Sequence, residues 1–396
     1  MSGRESGQGQ AARPLRLVYL TPSLYIAGGV ERVLTLKANY FADHFGYDVT
    51  IVLTDGKDKP FFYPLSERVK VVQLDIGFEQ LWQLSFLRKI PVYLRKQRQY
   101  KRRLTDLLTS LRPDITISLL RREINFLCSI GDGSRKIGEL HVNRANYRNF
   151  EANDANWLKR LFAGWWMHSL VGHLRRLDRF VVLTHEDAAA WTGLENVEVI
   201  PDPLSFSPGA VSTLSRQRVV AVGRYVYQKG FDLLLQAWAR LQEQFPEWEL
   251  AVYGAGNREP YERLMQQLGI DGRRCHLNGP SDDIRAEYLD SGLLAFSSRF
   301  EGFGMVIVEA MACGLPVVSF ACPCGPKDII SDGEDGLLAE PGNVDQLASK
   351  LAAVMGSRQL AQRLAAGARQ KAQEYDMSVL AEKWRTLFET VYESTV

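Results

Sequence analysis

The stretch that most constrains this chain runs Ser297-Ser298-Arg299-Phe300-Glu301-Gly302-Phe303-Gly304 and continues as Met305-Val306-Ile307-Val308-Glu309-Ala310-Met311-Ala312-Cys313-Gly314. Just before it, Leu293 to Phe296 is a short apolar run that reads as a buried parallel strand. Gly302 and Gly304 punctuate a tight strand-to-helix turn. Met305 to Cys313 contains no Pro and no Gly, and Gly314 stands where a helix-ending glycine belongs. This helix is apolar on every side except at Glu309, so burial is expected. A buried carboxylate needs a partner, because an unpaired one is very costly. The helix carries no cation one turn away, so the partner comes from elsewhere. Two readings are open: a ligand with hydroxyl groups, or a distant Arg in an ordinary core. Glu301 stands at the mouth of the same helix, among backbone N–H groups that favour anions. An anionic sugar compound, with phosphates at the turn and hydroxyls on the two glutamates, fits the first reading.

The chain has 396 residues, more than one core usually serves, so two domains are expected. Strand-like runs at Leu15–Leu20, Asp48–Thr54, Val69–Leu74 and Pro113–Leu119 alternate with helical patterns, including one over Val30–His44. That alternation indicates an α/β fold with a parallel sheet covered on both faces. Phe180–Thr184 and Val197–Ile200 read as its last strands. A turn-rich stretch with Pro201, Pro203, Pro208 and Gly209 places a linker over 201–217 between a first domain, 15–200, and a second, 218–375. Two closing helices are expected, the last from Met377 to Val396 with Leu380, Trp384, Leu387, Phe388 and Val391 on one face.

Several function classes fall away. No apolar run approaches the roughly 18–20 residues of a membrane span. Residues 1–14 lack an apolar core, so they read as a disordered tail rather than a signal peptide. Five cysteines at 128, 275, 313, 322 and 324 make no disulfide framework, and a reducing, cytoplasmic setting is expected. Cys322-Pro323-Cys324 has no second pair or His nearby and reads as a loop, not a metal site.

Two segments carry concentrated charge. From Arg88 to Arg103 there are eight Lys or Arg and no acid, threaded with Phe86, Leu87, Ile90, Val92, Tyr93 and Leu94. The second holds Trp157, Trp165, Trp166, Arg175 and Arg176, with apolar pairs recurring about every four residues. Cations beside Trp and Phe suit an anionic membrane surface; the alternative is the solvated face of a core helix. The membrane reading is preferred for the second segment, and both stay open for the first. Nucleic acid ranks low, because the rest of the chain is not basic. Between the segments, His141 follows a short strand, which leaves it either facing a ligand or structural.

In the second half, Val219–Gly223 reads as a strand, followed by Arg224-Tyr225-Val226-Tyr227-Gln228-Lys229-Gly230 and a helix. Arg224 and Lys229 flank one loop, where both could reach a single anionic group. Arg clamps a phosphate with two parallel bonds and Lys adds a point charge. Two surface cations on a loop are the plain alternative. In the first half, Gly28-Gly29 stands at a helix N-terminus, either approaching a phosphate or only turning the chain.

Taken together, Gly223-Arg224, Lys229-Gly230, Glu301-Gly302-Phe303-Gly304, Glu309 eight residues on and Gly314-Leu315-Pro316 resemble the retaining glycosyltransferases of family 4, the group 1 enzymes. The resemblance runs from Leu15 nearly to the end, tight over 219–340 and looser over 77–180. It implies the GT-B fold: two Rossmann-like domains facing across a cleft, with the final helix, 376–396, returning to the first. It implies donor contacts from Arg224 and Lys229 to the diphosphate, and from Glu301, Gly302, Phe303, Gly304 and Met305 to the sugar. Glu309 would accept from the ribose. Gly254 and Leu277 would line the donor site, Gly28 and Gly29 would close on the phosphates, and His141 would stand beside the transferred sugar.

A metal-independent reaction is implied, since no Asp-x-Asp occurs in the sequence. No protein nucleophile and no cofactor are expected. Two positions depart from the pattern. Asp202 stands between two prolines where Asn is expected, and Cys324 stands where Thr or Ser is expected. The expected activity is transfer of a hexose or N-acetylhexosamine from a UDP- or GDP-linked donor to a lipid-linked or envelope glycan. It would take place at the inner face of a membrane. The competing readings are a sugar-nucleotide epimerase of the same fold and a non-catalytic sugar-binding protein.

Overall fold

The computed structural model describes residues 13–83, 85–149 and 157–394. Most of the tail expected over 1–14 lies outside the described residues, as do the side chains of Trp157 and Trp165. In chain order the first elements are β1 (Arg16–Thr21), α1 (Gly29–Asp43), β2 (Asp48–Leu53), β3 (Lys70–Gln73), α2 (Phe86–Leu111), β4 (Ile115–Ser118) and β5 (Arg135–Glu139). Then come α3 (Trp157–Leu174), β6 (Arg179–Val182), α4 (His185–Ala190) and β7 (Val197–Val199). These strands form a seven-stranded sheet in the order β3-β2-β1-β4-β5-β6-β7.

The second series is β8 (Arg218–Val222), α5 (Phe231–Leu241), β9 (Glu249–Tyr253), α6 (Glu259–Gln267), β10 (Cys275–Asn278), α7 (Ile284–Leu289) and β11 (Leu293–Phe296). It continues with α8 (Met305–Ala312), β12 (Val317–Phe320), α9 (Pro326–Ile329), β13 (Leu337–Ala339), α10 (Val344–Met355), α11 (Arg358–Ala372) and α12 (Met377–Glu393). Its sheet runs β10-β9-β8-β11-β12-β13. The assigned pairings in both sheets are parallel, as the strand–helix alternation predicts. Three helices close the chain rather than two, and β13 is a strand that the sequence reading did not assign. Its three residues, Leu337-Leu338-Ala339, sit among Gly and Asp and are too short to carry a periodic signal.

Contacts group the residues into two compact units. Unit 1 comprises 1–139, 176–179 and 388–396; unit 2 comprises 140–175 and 180–387. In unit 1, the buried side of α2 sets Tyr100, Leu104 and Leu108 against Val18, Leu20, Val52 and Phe78. The end of α12 belongs to this unit, where the ring of Phe388 meets Phe41 edge-on at 5.5 Å. In unit 2, one apolar layer packs α5 and α10 on the sheet through Leu235, Trp238, Leu347 and Leu351. A second layer, on Leu294 and Val317, contains Ile307, Ala310 and Met311 of α8. The helix expected to be buried is therefore core, with Glu309 inside it at 5% exposure.

Candidate active site in unit 2

The order β10-β9-β8-β11-β12-β13 reverses its direction of winding between β8 and β11. Loops leaving the carboxyl ends of two such strands diverge and open a crevice, where ligands bind in sheets of this kind. Arg224 and Lys229 stand on the loop after β8, and Glu301 to Gly304 on the loop after β11. The sheet order thus brings together two motifs that lie far apart in sequence.

The two loops are tied to each other by the backbone. Arg299 N donates to Gln228 O at 2.8 Å, Gln228 Nε2 donates to Phe300 O at 3.0 Å, and Ser297 Oγ donates to Lys229 O at 2.9 Å. The Arg299 guanidinium donates to Tyr227 O at 2.8 Å and pairs with both oxygens of Asp232, at 2.8 and 2.6 Å. Burial alone would raise the Asp232 carboxyl, but the Arg299 fork overrides it and holds the pKa below the usual carboxylate value.

Within this frame Lys229 Nζ donates to Glu301 Oε1 at 2.6 Å. Both side chains are largely buried, 15% and 8% exposed. An ammonium has three donors, so the bond to Glu301 leaves two for a further anion. Arg224 is exposed and makes no ion pair with any described residue. The loop after β9 comes in close: a Cβ on Gly254 would fall 1.8 Å from Gly223 O, so only glycine fits. Gly304 enters α8 at φ 103, a conformation that L side chains rarely adopt. Leu277 lies on β10, beside β9.

Glu309 has protein partners that the sequence did not disclose. Tyr288 donates its hydroxyl to Oε2 at 3.1 Å, and Ser205 donates to Oε1 at 2.5 Å. Neither partner is the distant Arg of the plain reading. Two hydroxyls solvate this buried carboxylate without neutralising it.

His141 also reaches this region. A Cβ on Gly302 would meet His141 O at 2.5 Å, so the two backbones pack together. Asn143 Nδ2 donates to Glu301 O at 2.6 Å. His141 Nδ1 lies 3.2 Å from Asp202 Oδ1, both side chains being buried. Asp202, noted in the sequence only as a departure, is therefore the partner of the candidate histidine. Cys324, the other departure, donates its backbone N to Glu186 Oε2 at 2.8 Å, and burial pushes its thiol up to about 12. All five cysteines are free thiols.

The remaining candidates stand on other elements. Gly28 caps α1 in unit 1, in extended conformation at φ −114. A Cβ there would fall 2.0 Å from Glu31 Oε2, so a carboxylate stands over the helix entry where a phosphate was expected. Gly29 is the first residue of α1. Of the residues assigned to a membrane, Trp166 is half-buried and stacks on Tyr147 at 5.6 Å. Arg175 and Arg176 are exposed, each with one long bond of 3.3 Å to a backbone carbonyl, Gly193 O and Cys128 O respectively. Among the described residues no helix is long and apolar enough to cross a membrane.

Two Rossmann-like parallel-sheet domains, with seven and six strands, define the architecture of GT-B glycosyltransferases. A variant of S. aureus TarM, crystallised with Fondaparinux, alpha-GlcNAc-glycerol and UDP, shares the fold with a TM-score of 0.73 at 16% identity over 94% of this chain and 99% of that one. Residues 211–371 match the family described as Glycosyl transferases group 1. An uncharacterized glycosyltransferase of Haemophilus influenzae is 25% identical over 91% of this chain and 96% of its own. The amylovoran biosynthesis glycosyltransferase AmsD of Erwinia amylovora is 25% identical over 94% of this chain and 99% of its own. These matches support a group 1 glycosyltransferase.

Proposed function

We propose that this chain transfers a hexose or N-acetylhexosamine from a nucleoside-diphosphate sugar to an envelope or exopolysaccharide glycan, without a metal and with retention at the anomeric carbon. The observation that carries the reading is the buried Lys229–Glu301 pair at 2.6 Å, with Arg224 open on the same loop. Departure of a nucleoside diphosphate needs positive charge already in place where negative charge develops. Lys229 supplies it with two remaining donors, and Arg224 adds a fork that matches a phosphate. The N–H groups at the entry of α8 face the same anion. Glu301, oriented by Lys229, holds a sugar hydroxyl, and Glu309 accepts from the ribose. Gly254, Leu277 and Met305 line the donor.

His141 stands beside the sugar with Asp202 behind it. Retention rests on the likeness of the Glu301-x7-Glu309 pattern to retaining enzymes. The UDP in the TarM structure favours uridine over guanosine, and the name of AmsD favours an exported polysaccharide. Five free thiols fit a cytoplasmic enzyme.

Calorimetry with UDP, GDP and their common sugars in EDTA tests the donor site. One nucleotide should bind wild type and be lost in Lys229→Ala and Glu309→Ala. NMR of the product anomer tests retention. Absence of binding to every nucleotide would overturn the reading.

A further inference from the structure

At the end of α8 lies a cavity of about 530 Å³ that the donor reading does not use. Its apolar walls are Leu204, Pro208 and Val211 from the linker, Ala312 from α8, Ala372 from α11 and Val379 from α12. All of them belong to unit 2. The space exists because the helices meet it with small side chains, the two alanines. Val211 and Val379 stay 42% and 44% exposed. A cavity of this size falls in the range of small-molecule sites, roughly 300–1,000 Å³. Apolar walls give water in it few polar partners, so an apolar body displaces that water readily.

Among the described residues one cation lines the cavity, Arg369 of α11. Its stem and Val211 meet over Gly314: a Cβ on that glycine would fall 3.3 Å from Arg369 Cδ and 3.2 Å from Val211 Cβ. The Arg369 guanidinium makes no hydrogen bond or ion pair with any described residue. Asp376, the acid among the lining residues, is already engaged. Its Oδ1 accepts from Ser378 N at 2.8 Å and from Ser378 Oγ at 2.5 Å, at the start of α12. An open guanidinium beside apolar walls complements one anionic group carried on an apolar body.

We propose that this cavity binds a small organic monoanion, such as a carboxylate, with an aliphatic or aromatic body, and that its occupancy tightens donor binding. The coupling runs through the linker. Leu204 lines the cavity, and the next residue, Ser205, donates to Glu309 Oε1 at 2.5 Å. Leu204 N donates to Tyr375 O at 2.8 Å, and Ser212 N donates to Cys313 O at 2.8 Å, so the segment is held at its two ends. A ligand against Leu204, Pro208 and Val211 orders the stretch between, and with it the hydroxyl on Glu309. Ordering by the first ligand lowers the cost of binding the second. The coupling rests on the reading of Glu309 as a donor contact; binding in the cavity does not.

The test titrates the full chain with fluorescent anilinonaphthalene sulfonate and with its neutral counterpart, phenylnaphthylamine, using decanoate as competitor. Wild type should bind both probes, and decanoate should displace them. Arg369→Gln should weaken the sulfonate about tenfold, near the worth of one charge-assisted hydrogen bond, and leave the neutral probe unchanged. Val211→Ser with Val379→Ser should weaken both probes. The three altered side chains are exposed, so circular dichroism should match wild type in both variants. Decanoate should tighten UDP binding to wild type about fivefold, and UDP should tighten decanoate by the same factor. Ser205→Ala should abolish that coupling while the cavity still takes the sulfonate. Undiminished sulfonate binding by Arg369→Gln would overturn the proposal, as would decanoate occupancy with no change in UDP affinity. If no nucleotide binds wild type at all, the donor reading fails and takes the coupling with it, while the two probes still decide the cavity.

Discussion

Lys229 Nζ stands 2.6 Å from Glu301 Oε1, and the two residues come from loops that the sheet order brings side by side. The pair keeps the carboxylate from being buried alone, and in the proposed reaction it would hold the ammonium ready for a departing diphosphate. Lys229→Ala should lower kcat about 10²–10³-fold, the usual result of removing one preorganised charge-stabilising donor. It should also lower stability by about 1–3 kcal/mol, because Glu301 loses its charged partner. Glu301→Gln should keep the fold and reduce transfer. Steady-state kinetics with thermal unfolding separates the two effects; equal loss of stability without loss of kcat would make the pair structural.

Tyr288 holds Glu309 from a position 21 residues upstream, through a bond of 3.1 Å. Tyr288→Phe removes one donor and no volume, so the fold should survive. If Glu309 accepts from a ribose, the freed Oε2 should reorient and nucleotide affinity should fall by about three- to tenfold, close to the worth of one hydrogen bond. Ser205→Ala should do the same from the other oxygen. A fall in melting temperature with unchanged nucleotide affinity would place both hydroxyls in the core only.

The frame of this site was legible in the sequence because it rests on local signals. Leu293–Phe296 and Met305–Ala312 are apolar runs of the right length, broken by glycines that only a tight turn requires, and they fold as β11 and α8. Arg224, Lys229, Glu301 and Glu309 stood out because charged groups sat beside such runs. Tyr288, Ser205 and Asn143 did not, because nothing in their own neighbourhood is unusual. Their roles arise only when packing carries a hydroxyl or an amide to a distant carboxylate or carbonyl.

Asp202 and His141 form the second pair that distance in sequence concealed, at 3.2 Å. A carboxylate on Nδ1 fixes which ring nitrogen faces away from it. Asp202→Asn should leave the protein folded and lower kcat, since an amide no longer offers Nδ1 a fixed acceptor and the ring orientation is less defined. His141→Ala should lower kcat more than it changes donor affinity. Unchanged kcat in both variants would mean that the ring takes no part in the reaction.

The Arg299–Asp232 fork, at 2.8 and 2.6 Å, is the clamp behind the donor loops, and it gives a pH signature. Arg299 holds the folded-state pKa of Asp232 below its unfolded value, in spite of burial. A depressed carboxylate pKa contributes stability that is fully present above the unfolded pKa of about 4, and that contribution is lost as pH falls through the folded value. Asp232→Asn should thus unfold more easily near neutral pH, by about 1 kcal/mol or less because the pair is partly exposed. Its stability should fall less steeply than wild type below about pH 4. Urea unfolding of both proteins between about pH 3 and 7 reads this directly. Parallel curves over that range would mean that the fork carries no net stability, and that the loops are held by the other bonds, from Arg299 N, Gln228 Nε2 and Ser297 Oγ.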